Sequence, residues 1–136
     1  MSSGISKNLR QRVAVRSGQR CEYCRIVQTL LQHKHEPDHI RARQHGGQTV
    51  FENLALACMW CNRRKGPNIA SFDPLTGQLV LLFNPRTQLW HEHFEWDGAV
   101  IRPLTAEARV TINLLGINDE ERLADRQMLL DVGLLY

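Results

Sequence analysis

No stretch of the 136-residue sequence is apolar for long enough to cross a bilayer, and its start carries no apolar export leader ending in small residues. The first absence leaves no candidate for a membrane-spanning helix in this sequence. The second makes the cytoplasm the expected location. Internal repeats and low-complexity tracts are missing too, which excludes a solenoid or a linker-like tail. A large excess of one charge is also lacking. Seventeen Lys and Arg stand against 14 Asp and Glu, and a net +3 is weak support for a polyanionic partner. Cysteine is scarce, at four residues. Without an export leader, an oxidised disulfide framework is not expected.

What is present argues for a folded chain. Hydrophobic residues make up 43% of it, enough for a modest core in one domain or a domain with an appendage. Charge is unevenly spread. Up to Lys65 the chain is rich in Arg and Lys, and from Lys7 to Lys65 its only acids are Glu22, Glu36, Asp38 and Glu52. The end is acidic, with Asp119, Glu120, Glu121, Asp125 and Asp131. A basic front half suits contact with phosphate, and the alternative is an ordinary solvated surface.

Residues 5 to 17 predict a helix, with Ile5, Leu9 and Val13 on one side, arginines facing outward and Gly18 at its end. Residues 28 to 36 alternate loosely, as a strand does. Pro37 confines residues 38 to 41 to a short edge strand or hairpin arm. After a loop containing Gly46-Gly47, Leu54 to Ala57 reads as the returning strand, and Met59 to Lys65 as a short helix stopped by Gly66-Pro67. Further on, a turn at 73–77 precedes a strand carrying Leu79, Leu81 and Phe83. A second strand is expected over 91–96, with Asp97-Gly98 turning it back into 100–102. Helices follow over 105–115, capped by Thr105, and over 118–131, with Asn118 as the cap. This order predicts an α+β chain in three parts: an N-terminal helix (1–19), a central module (20–67) and a C-terminal extension of short strands and helices (68–136).

The cysteines fall into two pairs, Cys21-x2-Cys24 and Cys58-x2-Cys61. Each pair places two thiolates on one metal, and together they complete a tetrahedral, structural zinc site. Such a site has no open position for substrate or water. Disulfides or buried free thiols are the alternatives. Between the pairs lie Asp38-His39-Ile40, Gly46-Gly47 and Asn53-Leu54, and Asn62 follows the last cysteine. A closing metal would draw Asn62 and the Asp38-His39 arm together.

The run Cys21-Glu22-Tyr23-Cys24, Pro37-Asp38-His39-Ile40, Gly46-Gly47, Asn53-Leu54 and Cys58-x2-Cys61-Asn62-x2-Lys65-Gly66 resembles the HNH endonucleases. These belong to the His-Me finger nucleases, with a ββα-metal fold. The likeness is to small stand-alone bacterial or phage members and covers about a third of the chain. Residues 68 to 115 also resemble a tail of some bacterial members, through Phe83-Asn84-Pro85-Arg86 and His93-Phe94-x-Trp96. The resemblance implies roles. His39 matches the general base that activates water, and Asn53 the central asparagine that fixes the loop. Asn62 stands where the family name has histidine, and its carbonyl oxygen suits Mg²⁺. Asp38 matches the acidic metal ligand beside the base. The implied substrate is DNA, cut to 5′-phosphate and 3′-hydroxyl ends.

Elementary chemistry runs the same way. An imidazole titrates near neutrality and can take a proton from water. Asp38 and Asn62 offer the hard oxygens that Mg²⁺ or Mn²⁺ prefers. Successive residues on a strand point to opposite faces, so Asp38 and His39 need a twisted backbone to share one rim. Arg41, Arg43, Arg63, Arg64 and Lys65 are the candidate DNA contacts. His35 would help bind metal or phosphate if the strand ran through Pro37, and otherwise lies at the surface. His45 is placed to touch phosphate, while His33, His91 and His93 have no assigned chemistry. Tyr23 and Trp60 are expected to pack around the metal. The competing function is a catalytically inactive, zinc-supported DNA-binding or adaptor protein on the same scaffold. In either case a second copy of the chain or a protein partner would meet the acidic C-terminal region.

Overall fold

The computed structural model describes residues 4–28 and 34–136. The strand expected over 28–36 lies mostly outside the described residues. Helix α1 spans Lys7–Arg16, capped by the Ser6 hydroxyl, which accepts from Leu9 N at 3.1 Å. Its Leu9 and Val13, with Ile5 just before the cap, pack with Leu54 and Leu56 in a small core of their own. Its arginines do not all face solvent. The Arg16 guanidinium turns back over the Phe51 ring, 3.8 Å from its centroid, and donates to the Phe51 carbonyl at 2.7 Å. That carbonyl starts a single 3₁₀ turn, Phe51–Asn53, where a charged donor satisfies a backbone acceptor that lacks a helical partner.

Strands β1 (Glu36–His39) and β2 (Leu54–Ala57) form an antiparallel hairpin in which Asp38 pairs with Ala55 and His39 with Leu54. Pro37 is tolerated because this sheet has only two strands, so its missing N–H can face the free edge. Helix α2 (Met59–Lys65) leaves β2 at once, with the Cys58 sulfur as its N-cap. The order hairpin, then helix, sets the central module.

The extension begins with strands β3 (Ala70–Phe72) and β4 (Leu79–Leu81), a second antiparallel pair. Sequence reading misses β3, because Ala-Ser-Phe is too short to show an alternation. It also places Phe83 in the strand. The chain instead turns inward there, and Phe83 N donates to Thr111 Oγ1 at 2.8 Å. The strand expected over 91–96 is half correct: Trp90–His93 is a single helical turn (α3), and β5 (Phe94–Asp97) starts only afterwards. The turn lets the Trp90 indole N–H reach the Tyr23 carbonyl at 2.9 Å, a bond that a strand would have aimed elsewhere. Strand β5 pairs with β6 (Val100–Pro103) across Asp97-Gly98, and Gly98 takes the left-handed conformation the turn requires.

Helix α4 (Ala106–Leu115) starts on the Thr105 cap and ends at Gly116. Helix α5 (Glu120–Asp131) begins later than expected, after Asp119. Asn118 does not cap it. Its amide bonds both ways to the Ile101 backbone, at 3.1 and 2.7 Å, and so ties α5 to β6. The main core joins module and extension: Cys21, Tyr23, Ala55, Ala57 and Cys61 cluster with Phe83, Trp90, Phe94, Ile101, Leu115 and Ile117. Among the described residues no helix is long and apolar enough to cross a membrane.

Asp73 holds the β3–β4 turn to α4. Its carboxylate accepts Leu75 N at 3.0 Å and forms a forked pair with Arg109, at 3.0 and 2.7 Å. The Arg109 bonds keep its carboxyl well below the usual carboxylate range. A carboxyl depressed on folding stabilises the fold fully above its unfolded pKa of about 3.9 and loses that contribution as pH falls further. Asp73→Asn is therefore expected to melt at a lower temperature than the parent at pH 6, with the gap narrowing below about pH 4. Melts recorded from pH 3 to 7 check this, and a gap independent of pH would show that the charge is immaterial.

Candidate functional site

The first cysteine pair sits on a turn between α1 and β1. Cys21 N donates to Ile26 O and Arg25 N to Cys21 O, both at 2.9 Å, and Arg25 takes a left-handed φ of 69° to close the turn. Glu22 fastens this turn to the hairpin. Its backbone N donates to Leu56 O and its carboxylate accepts Leu56 N, both at 2.8 Å, while Arg86 covers the other oxygen. The second pair belongs to the first turn of α2. In each pair the later cysteine's N–H points at the earlier sulfur, at 3.5 Å.

All four sulfurs lie within 4.8 Å of one another and are buried. The Sγ atoms of Cys24 and Cys58 are 3.7 Å apart. Zinc–sulfur bonds of about 2.3 Å in a tetrahedron put sulfurs about 3.8 Å apart, so the cluster fits a single ion of that kind. Burial raises the thiols of Cys21 and Cys61, whereas hydrogen bonds from its neighbours lower that of Cys24. Four buried thiolates need a cation among them, and the donor set is positioned to hold a metal ion. Tyr23 packs beside it, fully buried, as expected. Trp60 does not: it is 37% exposed, because its place on α2 turns it away from the sulfurs.

The four-cysteine cluster joins the start of α2 to the turn before β1, and residues of β1, α2 and the loop after β1 line a cleft of about 340 Å³. Asp38, His39, Arg43 and Asn62 line it, with Ala42 and Gly66-Pro67. Asp38 and His39 are successive residues at the end of β1 and both line this cleft, with the Asp38 carboxylate turned toward Lys65 and the Tyr23 hydroxyl. His39 is half-buried, and its Nε2 lies 2.8 Å from Thr49 Oγ1. Burial lowers its pKa, helped by the charges of Arg43 and Lys65. Thr49 carries no sequence signal of this role, because its side chain is brought to His39 only by the loop's path.

Asn53 lies outside the cleft and holds that loop. Its Oδ1 accepts Arg41 N at 3.0 Å, and its Nδ2 donates to the carbonyls of Arg41 and Gln48 at 3.0 and 2.8 Å. Gly47 explains the pair of glycines. A Cβ there would fall 1.8 Å from the Arg41 carbonyl oxygen, so the loop can close only on glycine.

Of the five expected DNA contacts, Arg41, Arg43 and Arg63 are exposed, and only Arg43 lines the cleft with His39. Arg41 faces a separate groove beside Ile40 and Phe83. Arg64 is engaged with Asp119 at 2.8 Å. Lys65 is not at the surface at all. It is 2% exposed, and its ammonium lies 3.0 Å from Asp38 and donates to the His39 carbonyl at 2.9 Å. A buried carboxylate and a buried ammonium neutralise one another, so Lys65 is a partner of Asp38 rather than a phosphate contact. Burial still raises the Asp38 carboxyl to about 6 against the pull of Lys65. Among the other histidines, His35 is buried with Nε2 3.0 Å from Ile26 O, away from the cleft, and His93 is held by Thr105 at 2.7 Å. His45 is exposed on the loop.

A two-stranded hairpin, a following helix and a four-thiol cluster that locks them define an α+β metal-binding module. Residues 21–68, about a third of the chain, match the family model described as HNH endonuclease. No curated protein and no solved structure matches the chain.

Proposed function

We propose that the protein is a metal-dependent endonuclease that hydrolyses DNA phosphodiester bonds. The observation that carries this reading is the cleft itself, which His39, Asp38 and Asn62 line together with Arg43. Residues 20–67 are then the catalytic module, 1–19 a helix packed on it, and 68–136 an extension that buttresses the four-cysteine site. That site holds structural zinc, closed to substrate by its four ligands.

His39 acts as the general base. If Nε2–H is donated to Thr49, the lone pair is on Nδ1, which receives the proton from water. Its lowered pKa keeps it neutral at physiological pH, the state a base needs. Asp38 and Asn62 are the oxygen donors for Mg²⁺ or Mn²⁺, which when bound supplies charge neutralisation at the scissile phosphate. Asn53 keeps the loop closed so that Thr49 stays on His39. Arg43 and Arg63 meet the backbone phosphates.

One observation favours the second reading, a DNA-binding or adaptor protein without catalysis. Asp38 is already neutralised by Lys65, as a carboxylate with no metal to bind would be. The two readings separate on a supercoiled plasmid incubated with and without Mg²⁺ or Mn²⁺. Cation-dependent nicking supports the nuclease. Retained binding with no cleavage on duplex or single-stranded DNA favours the binding module, and cleavage of RNA alone would overturn the substrate. Duplex binding is expected to weaken steeply between about 50 and 200 mM salt as phosphate contacts release counterions. Arg63→Ala is expected to weaken binding to unrelated sequences alike and to flatten that slope by about one contact. Binding insensitive to salt would count against the basic face.

A further inference from the structure

Helix α5 is acidic along most of its length, yet its buried residues are two arginines, Arg122 and Arg126, one turn apart. They are 5% and 1% exposed. Burying a guanidinium is unfavourable unless opposite charge and hydrogen-bond acceptors meet it. None of the ion pairs among the described residues gives Arg122 a carboxylate. It meets sulfur instead. One terminal nitrogen lies 3.0 Å from Cys61 Sγ and 3.6 Å from Cys58 Sγ, and the other donates to the Leu115 carbonyl at 2.7 Å. Arg126 is held by the Ala99 carbonyl and Asn118, at 2.7 and 2.9 Å.

We infer that Arg122 is a part of the four-cysteine metal centre, donating to its ligating sulfurs and balancing its charge. Four thiolates on a divalent ion leave a net negative charge inside the core. Arg122 brings a cation to that charge from a helix outside the matched segment, with Arg126 one turn further along. The guanidinium is suited to this because it stays charged when buried and its fork can engage a carbonyl and a sulfur together. Partners beyond the ligands orient metal-bound groups and contribute to affinity. The extension is thereby tied to the metal: α5 anchors on the ion's ligands, and the ion's charge is completed by α5. This inference rests on the metal reading of the four cysteines and is independent of any nuclease activity.

The test compares wild type, Arg122→Met and Arg122→Lys, with Arg102→Met as a surface control. Zinc affinity is measured by competition with a chromophoric chelator, and the sulfur-to-metal charge-transfer band is recorded after cobalt substitution. Arg122→Met is expected to weaken zinc binding by about 10–100-fold. Its charge-transfer band should move to lower energy, because a sulfur relieved of a positive hydrogen-bond donor gives up electron density more readily. Arg122→Lys should fall between, since the charge remains but the fork is lost. A guanidinium that merely held the Leu115 carbonyl would leave the band in place. Zinc-loaded wild type with an unshifted band and affinity within twofold in Arg122→Met overturns the inference. Should Arg122→Met not fold, the same wild-type values in Arg122→Lys overturn it. Wild type that takes up no metal overturns the metal reading and this inference with it.

Discussion

Plasmid cleavage by His39→Ala is expected to fall by about 10²–10⁴-fold, the range typical for loss of a general base. Zinc content, melting temperature and DNA binding should stay near wild type. The side chain is half-buried at the end of β1, and the one hydrogen bond it makes among the described residues is to Thr49. Few native contacts therefore disappear with it. Asp38→Ala is a different case, because it strands the Lys65 ammonium in the core. Removing one member of a buried pair typically costs about 3–5 kcal/mol, so loss of activity in that variant has to be read beside its stability. Asn62→Ala is the cleaner probe of the cation, and extra Mg²⁺ should partly restore its rate. Asn53→Ala should lie between, since it loosens the 41–48 loop rather than emptying the cleft.

The pH profile carries an independent check. Burial, Arg43 and Lys65 all disfavour the protonated imidazole, so its pKa lies below the ordinary value of about 6.5. A base works when neutral. The rate should then be flat from pH 7 to 8 and fall only on the acid side of that value, with the fall moved toward neutrality in Arg43→Ala. Time courses across pH at saturating Mg²⁺ measure this. Wild-type cleavage by His39→Ala, or a rate that still climbs steeply above pH 7, would remove His39 from the role of base.

Cys58→Ser should cost more to the fold than any change in the cleft. The Cys58 sulfur belongs to the four-cysteine cluster, caps α2 and is approached by Arg122. A structural zinc contributes on the order of 10–16 kcal/mol of apparent binding free energy, about the whole stability of a small domain. The variant should lose its ion in native mass spectrometry and much of its helical signal. Chelator-treated wild type should do the same, and zinc alone should restore it. A zinc-free, reduced protein that keeps its native melting curve would show that the thiols pack as ordinary core residues.

Several parts of this arrangement were legible in the residues. The paired cysteines, the returning strand β2, the glycine loop before it and helix α2 before Gly66-Pro67 stand where spacing and turn chemistry place them, whereas the first arm, expected over 38–41, runs through Pro37 as Glu36–His39. Those elements follow from local rules: thiol spacing on a turn, a Gly-Pro stop after the helix, a loop that closes on glycine at Gly47. Helix α4, between Thr105 and Gly116, was equally plain. Elements with weak local pattern were not. Strand β3 exists because β4 pairs with it, and α3 forms because the Trp90 indole is drawn to the Tyr23 carbonyl.

The sequence by itself determined which groups are available for chemistry, since ligand type, spacing and order along the chain are properties of the residues. Tertiary structure alone decided how charges are used. Lys65 and Arg16 read as surface cations, yet they are turned toward a carboxylate and a carbonyl, just as Arg86 and Arg122 are turned toward a carboxylate and a cysteine sulfur. The physical reason is that a charged side chain has no periodic signature. Whether it faces water or the core depends on where its counter-charge lies, and here that partner comes from another part of the chain, as with Arg122 and Cys61.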